Sequence, residues 1–245
     1  MTNPNEKSLA GKVALITGGG TGIGRGVALA LADKAVRVVI CGRREARLAE
    51  TVDAISKSGG ESLAVQADVS RPSDVDRLFK AVLDKFDRID ILINNAGVFA
   101  EASIQELEVE TWDTIMAVNL RGPFLLTRAV LPFMRQQRSG HIINISSESG
   151  LEYYLGDGAY GVSKHALNAF GEYTQRENQE FNIRVNTICP GMVVTEMSED
   201  SDGLDQSKCL YPEDIADLVL WLLTRRDNIK IGTPILIQTM LNPWE

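Results

Sequence analysis

The chain has 245 residues, 44% of them apolar and 24% charged, with a formal net charge of −8. That length and an even composition fit one large α/β domain spanning 1–245 better than two small ones, and the acidic balance leaves no basic stripe for a nucleic-acid partner. No apolar run approaches the ~18 residues that span a bilayer, and the start MTNPNEKSLAGK lacks a signal-peptide core, so a soluble, cytoplasmic protein without a membrane partner is expected.

Short β-branched runs alternate with longer helical patterns. Strands are expected at 13–17, 36–41, 62–66, 90–94, 141–146, 183–189 and 234–238, and helices near 22–33, 44–58, 72–86, 111–138, 158–181 and 212–224. Such alternation implies a parallel sheet with helices on both faces, and the nearly continuous apolar character of the strands suits burial on both sides. Pro72 and Pro212 sit where a first-turn proline is tolerated, whereas Pro132 falls inside 111–138 and is expected to kink or break that helix. The polar stretch SEDSDGLDQSK opens a segment, 198–211, that reads as a mobile lid, and 239–245 forms a tail ending near Trp244. Trp244 is expected either to be exposed or to pack against another subunit.

Ligands of such sheets bind beyond the carboxyl ends of the strands. Immediately after the first strand comes TGGGTGIG, Thr17 to Gly24, leading into a helical pattern. Glycines there let backbone approach a pyrophosphate at a helix N-terminus, although the spacing through Gly18, Gly22 and Gly24 differs from G-x-G-x-x-G. After the second strand, an NAD-preferring protein usually places an acid on the ribose 2′-hydroxyl. Here Gly42 is followed by Arg43 and Arg44, two guanidiniums that suit a 2′-phosphate, so NADP(H) is expected over NAD(H).

The run YGVSK sets Tyr160 and Lys164 at i and i+4, on one helix face. Lowering a tyrosine pKa of about 10 by three units needs roughly 4 kcal/mol, and one positive charge about 4 Å away supplies that at an effective dielectric near 20. Lys164 could therefore make Tyr160 a usable proton donor. Alone, this spacing is also that of an ordinary surface pair. Cys41, Cys189 and Cys209 show no metal or disulfide spacing and read as buried thiols. His141 and His165 have no partner at ligand spacing; both read as structural, and no metal is expected.

TGGGTGIG, NNAG (Asn94 to Gly97), Asn119 in MAVNLRGPF, Ser147 in NISSESG, YGVSK and PGMVVT (Pro190 to Thr195) together resemble the classical short-chain dehydrogenases/reductases over nearly the whole chain. The resemblance implies a Rossmann-type, doubly wound sheet of seven strands in the order 3-2-1-4-5-6-7. It implies a catalytic tetrad of Asn119, Ser147, Tyr160 and Lys164, with Asn119 at a local helix distortion, holding a water that links Lys164 to solvent. Thr21 belongs to the implied cofactor turn, and Ile23 would cap the pyrophosphate. Asp68 and Val69 would flank the adenine, and Asn95, Ala96 and Gly97 the adjacent ribose. Pro190, Gly191, Val193 and Thr195 belong to the nicotinamide end, where Val193 and Thr195 would hold the carboxamide.

The implied activity is reversible NADPH-dependent reduction of a ketone or aldehyde, with a small carbonyl or alcohol compound as substrate and a homotetramer or dimer as the assembly. A 3-oxoacyl-thioester reductase is the subclass alternative, because Arg138 and Arg176 match positions where relatives contact acidic carrier proteins. A non-catalytic NADP-binding regulatory protein and an isomerase or lyase using the cofactor transiently are the other classes. The ending ILIQTMLNPWE and the short region between Thr195 and Pro212 depart from the family pattern, so no relative's substrate transfers directly. The cleft edge is expected to carry Glu148, Glu152, Tyr153, Tyr154, Leu155, Met192 and Met197, which suit an apolar or polyol-like carbonyl compound and disfavour a strongly anionic one.

Overall fold

β1 (Val13–Thr17), α1 (Gly22–Ala32), β2 (Arg37–Gly42), α2 (Glu45–Lys57), β3 (Ser62–Gln66), α3 (Pro72–Phe86) and β4 (Ile91–Asn94) make up the first half of the computed structural model, which describes residues 7–199, 201 and 203–245. The second half contains α4 (Val109–Met116), α5 (Gly122–Gln137), β5 (Gly140–Ile145), α6 (Gly158–Asn178), β6 (Ile183–Pro190), α7 (Pro212–Thr224) and β7 (Ile235–Ile237). The strands pair in parallel in the order β3-β2-β1-β4-β5-β6-β7, as the resemblance implied. The chain works outward from β1 to β3 and then returns to β4 beside β1. That reversal opens a crevice beyond the carboxyl ends of β1 and β4.

Alternation along the strands feeds two cores. Ala14 and Ile16 pack toward Val27 and Leu31 of α1 and Val219 and Leu222 of α7. Val13 and Leu15 pack on the other face, toward Leu78 and Val82 of α3 and Leu126 and Val130 of α5. All of these side chains are buried, which accounts for strands that lack a polar face.

The expected single helix over 111–138 is two helices. Between α4 and α5 lies a π-helical turn, Ala117–Arg121, and α5 runs through Pro132 without breaking. Leu126, Val130 and Met134 of α5 are buried, and this packing carries the helix past the proline. The more consequential proline is Pro123, which has no N–H to offer the carbonyl four residues earlier, that of Asn119.

His141 on β5 is buried, and its Nε2 lies 2.8 Å from Asn186 Oδ1, so Nε2 carries the hydrogen and donates. Among the described residues Nδ1 has no partner, and burial pushes the pKa down to about 3. The three cysteines are buried free thiols. Among the described residues no helix is long and apolar enough to cross a membrane. Of the lid segment, Asp200 and Asp202 lie outside the described residues. The remainder includes a short 3-10 turn, Gln206–Lys208, and Asp205 N donates to Pro243 O of the tail at 2.9 Å.

Candidate active site

The turn after β1 forms one end of a cavity of about 310 Å³ at the crevice. Gly22 has φ +51°, which favours glycine, and a Cβ there would stand 3.0 Å from Thr195 Cγ2. α1 starts without a side-chain cap on Thr21 and without an acid in its first turn. Its free N–H groups and positive dipole end suit an anionic pyrophosphate, so these residues fit a dinucleotide. Gly18, Thr21, Gly22 and Ile23 line the cavity, as do Arg43, Arg44, Asp68, Val69, Asn95, Ala96, Gly97 and Thr195. Gly24 does not: it lies behind the wall, where a Cβ would meet Gly18 O and Asn95 Nδ2 at 2.4 Å. Pro190, Gly191 and Val193 line a second cavity beside the first instead.

β1 and β4 hold the cofactor end together. Thr17 Oγ1 accepts from the backbone N–H of Asn95 at 3.0 Å and of Ala96 at 2.9 Å, and Asn95 Nδ2 donates to Thr17 O at 2.8 Å. At the far wall, Arg44 Nη2 meets Glu196 Oε2 at 2.6 Å, and Arg47 Nη2 meets Glu196 Oε1 at 3.1 Å. The hydrogen bond from Arg44, aided by both guanidinium charges, holds the Glu196 carboxyl below its usual range. Among the described residues Arg43 has no carboxylate within ion-pair distance, though its charge helps lower the Asp68 carboxyl.

Tyr160 and Lys164 lie in the first turns of α6 and both border the cavity. Lys164 Nζ donates to Ile145 O at 3.0 Å and sits 5.3 Å from the centre of the Tyr160 ring. Phe99 packs edge-on against that ring, with centres 5.2 Å apart. The extended backbone of Ser147 follows β5, and its Oγ accepts from Ser149 N at 3.1 Å. Asn119 lies in the π-helical turn, where the resemblance implied a distortion. Its Oδ1 accepts from Val98 N at 2.8 Å, and its Nδ2 donates to Val98 O at 2.9 Å and Ser163 Oγ at 3.1 Å. The Asn119 side chain is therefore committed to protein. Pro123, four residues on, has no N–H to donate to the Asn119 main-chain carbonyl. A Cβ on Gly97 would stand at ordinary contact distance, 3.5 Å from Asn119 Oδ1 and 3.7 Å from Lys164 Nζ, which places Gly97 beside both side chains.

The pKa expected for Tyr160 is corrected. Burial pushes the phenol up to about 12, and a hydrogen bond with Ser147 offsets this only in part. Lys164, turned to the Ile145 carbonyl, does not bring it down; burial pushes Lys164 itself down to about 8. Desolvation outweighs the attraction worked out from i, i+4 spacing alone.

A cavity of about 490 Å³ adjoins the first, sharing Ile23, Tyr160, Thr195 and Met197. Glu148, Tyr154, Leu155, Met192 and Met197 line it as expected, whereas Glu152 and Tyr153 do not. Tyr153 instead stacks on His165, with ring centres 5.1 Å apart. Trp244 is exposed, as one of the two expectations had it, and also lines this cavity. Glu101, Glu148 and Asp157 bring carboxylates to its wall, where no lysine, arginine or histidine stands among the described residues. Burial raises the Glu148 carboxyl, and the charges of Asp157 and Glu152 raise it further.

The family model for the short chain dehydrogenases matches residues 12–204. The chain belongs to the short-chain dehydrogenase family. An uncharacterized oxidoreductase of Staphylococcus epidermidis is 37% identical over 221 residues, covering 90% of this chain and 94% of the relative. A 3-oxoacyl-[acyl-carrier-protein] reductase of Synechocystis is 36% identical over 224 residues, with coverage of 89% and 91%. Among solved structures, a short-chain type dehydrogenase/reductase from Mycobacterium marinum superposes with a TM-score of 0.88 at 30% identity, covering 94% of this chain and 95% of that one. Levodione reductase gives 0.87 at 28% identity, with coverage of 94% and 97%.

This short-chain dehydrogenase is thus an oxidoreductase of a family that binds nicotinamide cofactors. Several residues at its site had not been singled out from sequence. Ser163, inside YGVSK, ties Asn119 to α6 by accepting from its amide and donating to Tyr160 O at 2.7 Å. Arg47 was legible as the residue one turn beyond Arg44 on the same helix face. Glu196 carried no signal beyond standing next to Thr195, because its partners lie about 150 positions earlier in the chain.

Proposed function

We propose that this short-chain dehydrogenase reduces a ketone or aldehyde with NADPH and can run the reverse alcohol oxidation. The observation supporting this reading is that Tyr160 borders both cavities, with Ser147 on the larger, Lys164 on the smaller, and Asn119 tied to the same helix through Ser163. Gly18, Gly22 and the start of α1 would hold the pyrophosphate, Asp68 and Val69 the adenine, and Arg43 with Arg44 the 2′-phosphate. Val193 and Thr195 would hold the carboxamide. When bound, the reduced nicotinamide supplies the hydride.

Ser147 Oγ donates a hydrogen bond to the substrate oxygen as negative charge develops there. Tyr160 gives its hydroxyl proton to that oxygen. With its pKa pushed up to about 12, Tyr160 stays protonated at neutral pH, the form that reduction needs. The Lys164 ammonium would bind the nicotinamide ribose and, once swung from the Ile145 carbonyl toward the phenolate left behind, would stabilise it. The Asn119 carbonyl holds the water through which the proton is replaced. The carboxylates of the larger cavity disfavour an anionic carbonyl compound. A homotetramer is the expected assembly; Trp221 on α7 and Leu236 on the edge strand β7 are exposed apolar groups that a second subunit could cover.

Reduction of 3-oxoacyl thioesters is the second reading, supported by the similarity to the Synechocystis reductase. Against carrier docking, Arg176 is paired with Glu172 at 2.6 Å, and Arg138 donates to Glu180 O at 3.0 Å. The cofactor assignment is tested by titrating NADPH and NADH into the Arg43→Ala, Arg44→Ala double variant. NADPH affinity should fall and NADH affinity change little; an unchanged NADPH affinity would make the assignment wrong.

A further inference from the structure

The rim of the cofactor cavity is crossed by an ionic bridge. Glu196 follows β6, while Arg44 and Arg47 stand on the opposite wall, before and within the first turn of α2. Each carboxylate oxygen meets a different guanidinium, at 2.6 Å and 3.1 Å. Arg44 Nη2 also donates to Thr21 Oγ1 at 3.3 Å, so the bridge reaches the glycine turn. Thr195, the residue before Glu196, lies directly on that turn at Gly22. The segment after β6 is therefore strapped across the face where a dinucleotide would lie.

We propose that Glu196 sets cofactor discrimination: its carboxylate competes with the 2′-phosphate of NADPH for Arg44 and stays tethered by Arg47 once displaced. This rests on the NADPH reading above. Among the described residues no carboxylate lies within ion-pair distance of Arg43, although its charge acts on Asp68, so a 2′-phosphate can engage it without breaking an ion pair. Arg44 must first give up Glu196. A phosphate carrying nearly two negative charges and three acceptor oxygens can displace a carboxylate that keeps its second guanidinium. NADH brings no charge to this position and leaves the bridge in place. Glu196 thus lowers the advantage of NADPH over NADH, while its hold on Arg47 keeps the strap over either cofactor.

The test is direct binding, by isothermal titration calorimetry, of NADPH and NADH to the full chain and to Glu196→Gln and Arg47→Ala. Wild type should prefer NADPH. Because exposed ion pairs are weak, Glu196→Gln should raise the ratio Kd(NADH)/Kd(NADPH) by about two- to fivefold at low salt, with a smaller rise at high salt. Arg47→Ala, which cuts the tether and leaves the Arg44 contact, should weaken both cofactors without raising the ratio. Thermal unfolding of each variant confirms that it is folded. Wild-type preference for NADPH with an unchanged or lower ratio in Glu196→Gln would overturn the role of Glu196 alone and reduce the bridge to a surface ion pair. No NADPH preference in wild type would overturn the cofactor reading together with it.

Discussion

Acidification from pH 7 to about pH 5 should weaken the fold through His141. This side chain is 3% exposed, its Nε2 is bound to Asn186, and its Nδ1 has no partner among the described residues. Burial lowers its pKa from 6.5 to about 3, and the Arg184 charge pushes the same way. A depressed folded-state pKa means that the stability is whole above the unfolded value and is lost as pH falls from 6.5 toward 3. Between pH 7 and 5 the unfolded chain takes up nearly one proton that the folded chain refuses, at a cost of about 2 kcal/mol. Against a typical stability of roughly 5–15 kcal/mol this is a sizeable share. Glu148 and Asp157 work with the opposite sign, because burial raises both carboxyls and their contribution is lost as pH rises. The assay is therefore a difference. Urea unfolding of wild type and His141→Gln is measured at both pH values, since glutamine keeps an N–H for Asn186 and does not titrate. The wild-type advantage should shrink by about 2 kcal/mol on acidification. An advantage that stays constant would refute the burial argument.

Two further predictions concern the site. Lys164 has its pKa lowered to about 8 by burial, so NADPH affinity should weaken as pH rises through that value, when the ammonium proposed to hold the ribose is lost. The inflection should vanish in Lys164→Met; a flat wild-type profile between about pH 7 and 9 would contradict the assignment. Glu148→Gln removes a carboxylate from the larger cavity and should lower KM for a carboxylate-bearing ketone by about three- to tenfold relative to its neutral analogue. Equal changes for the two compounds would remove Glu148 from substrate selection.

The sheet was legible because each strand is a short β-branched run bounded by turns, and its order followed from motifs that occur in one sequence of positions. The Tyr160/Lys164 face was legible for the same local reason: helical spacing alone juxtaposes them. The Tyr160 pKa was not, since desolvation depends on what other elements bury. Helix 111–138 was misread because Pro132 drew attention, while the break falls at the π-helical turn Ala117–Arg121, just before Pro123. Trp244 and Glu196 reach their cavities through contacts across the tertiary fold, which leave no local pattern. Arg44 was expected to take a 2′-phosphate, but the acid that holds it in the structure lies on a different element.

The most direct test of the proposed reductase follows absorbance of the reduced nicotinamide for wild type and Tyr160→Phe across a panel of ketones, aldehydes, sugars, quinones and 3-oxoacyl thioesters. Wild type should consume NADPH with at least one carbonyl compound. Tyr160→Phe should lose that turnover by about 10²- to 10⁴-fold while binding NADPH with unchanged affinity. Near-normal turnover in Tyr160→Phe would contradict the proton-donor role, and tight NADPH binding with no consumption by wild type across the panel would contradict the reductase itself.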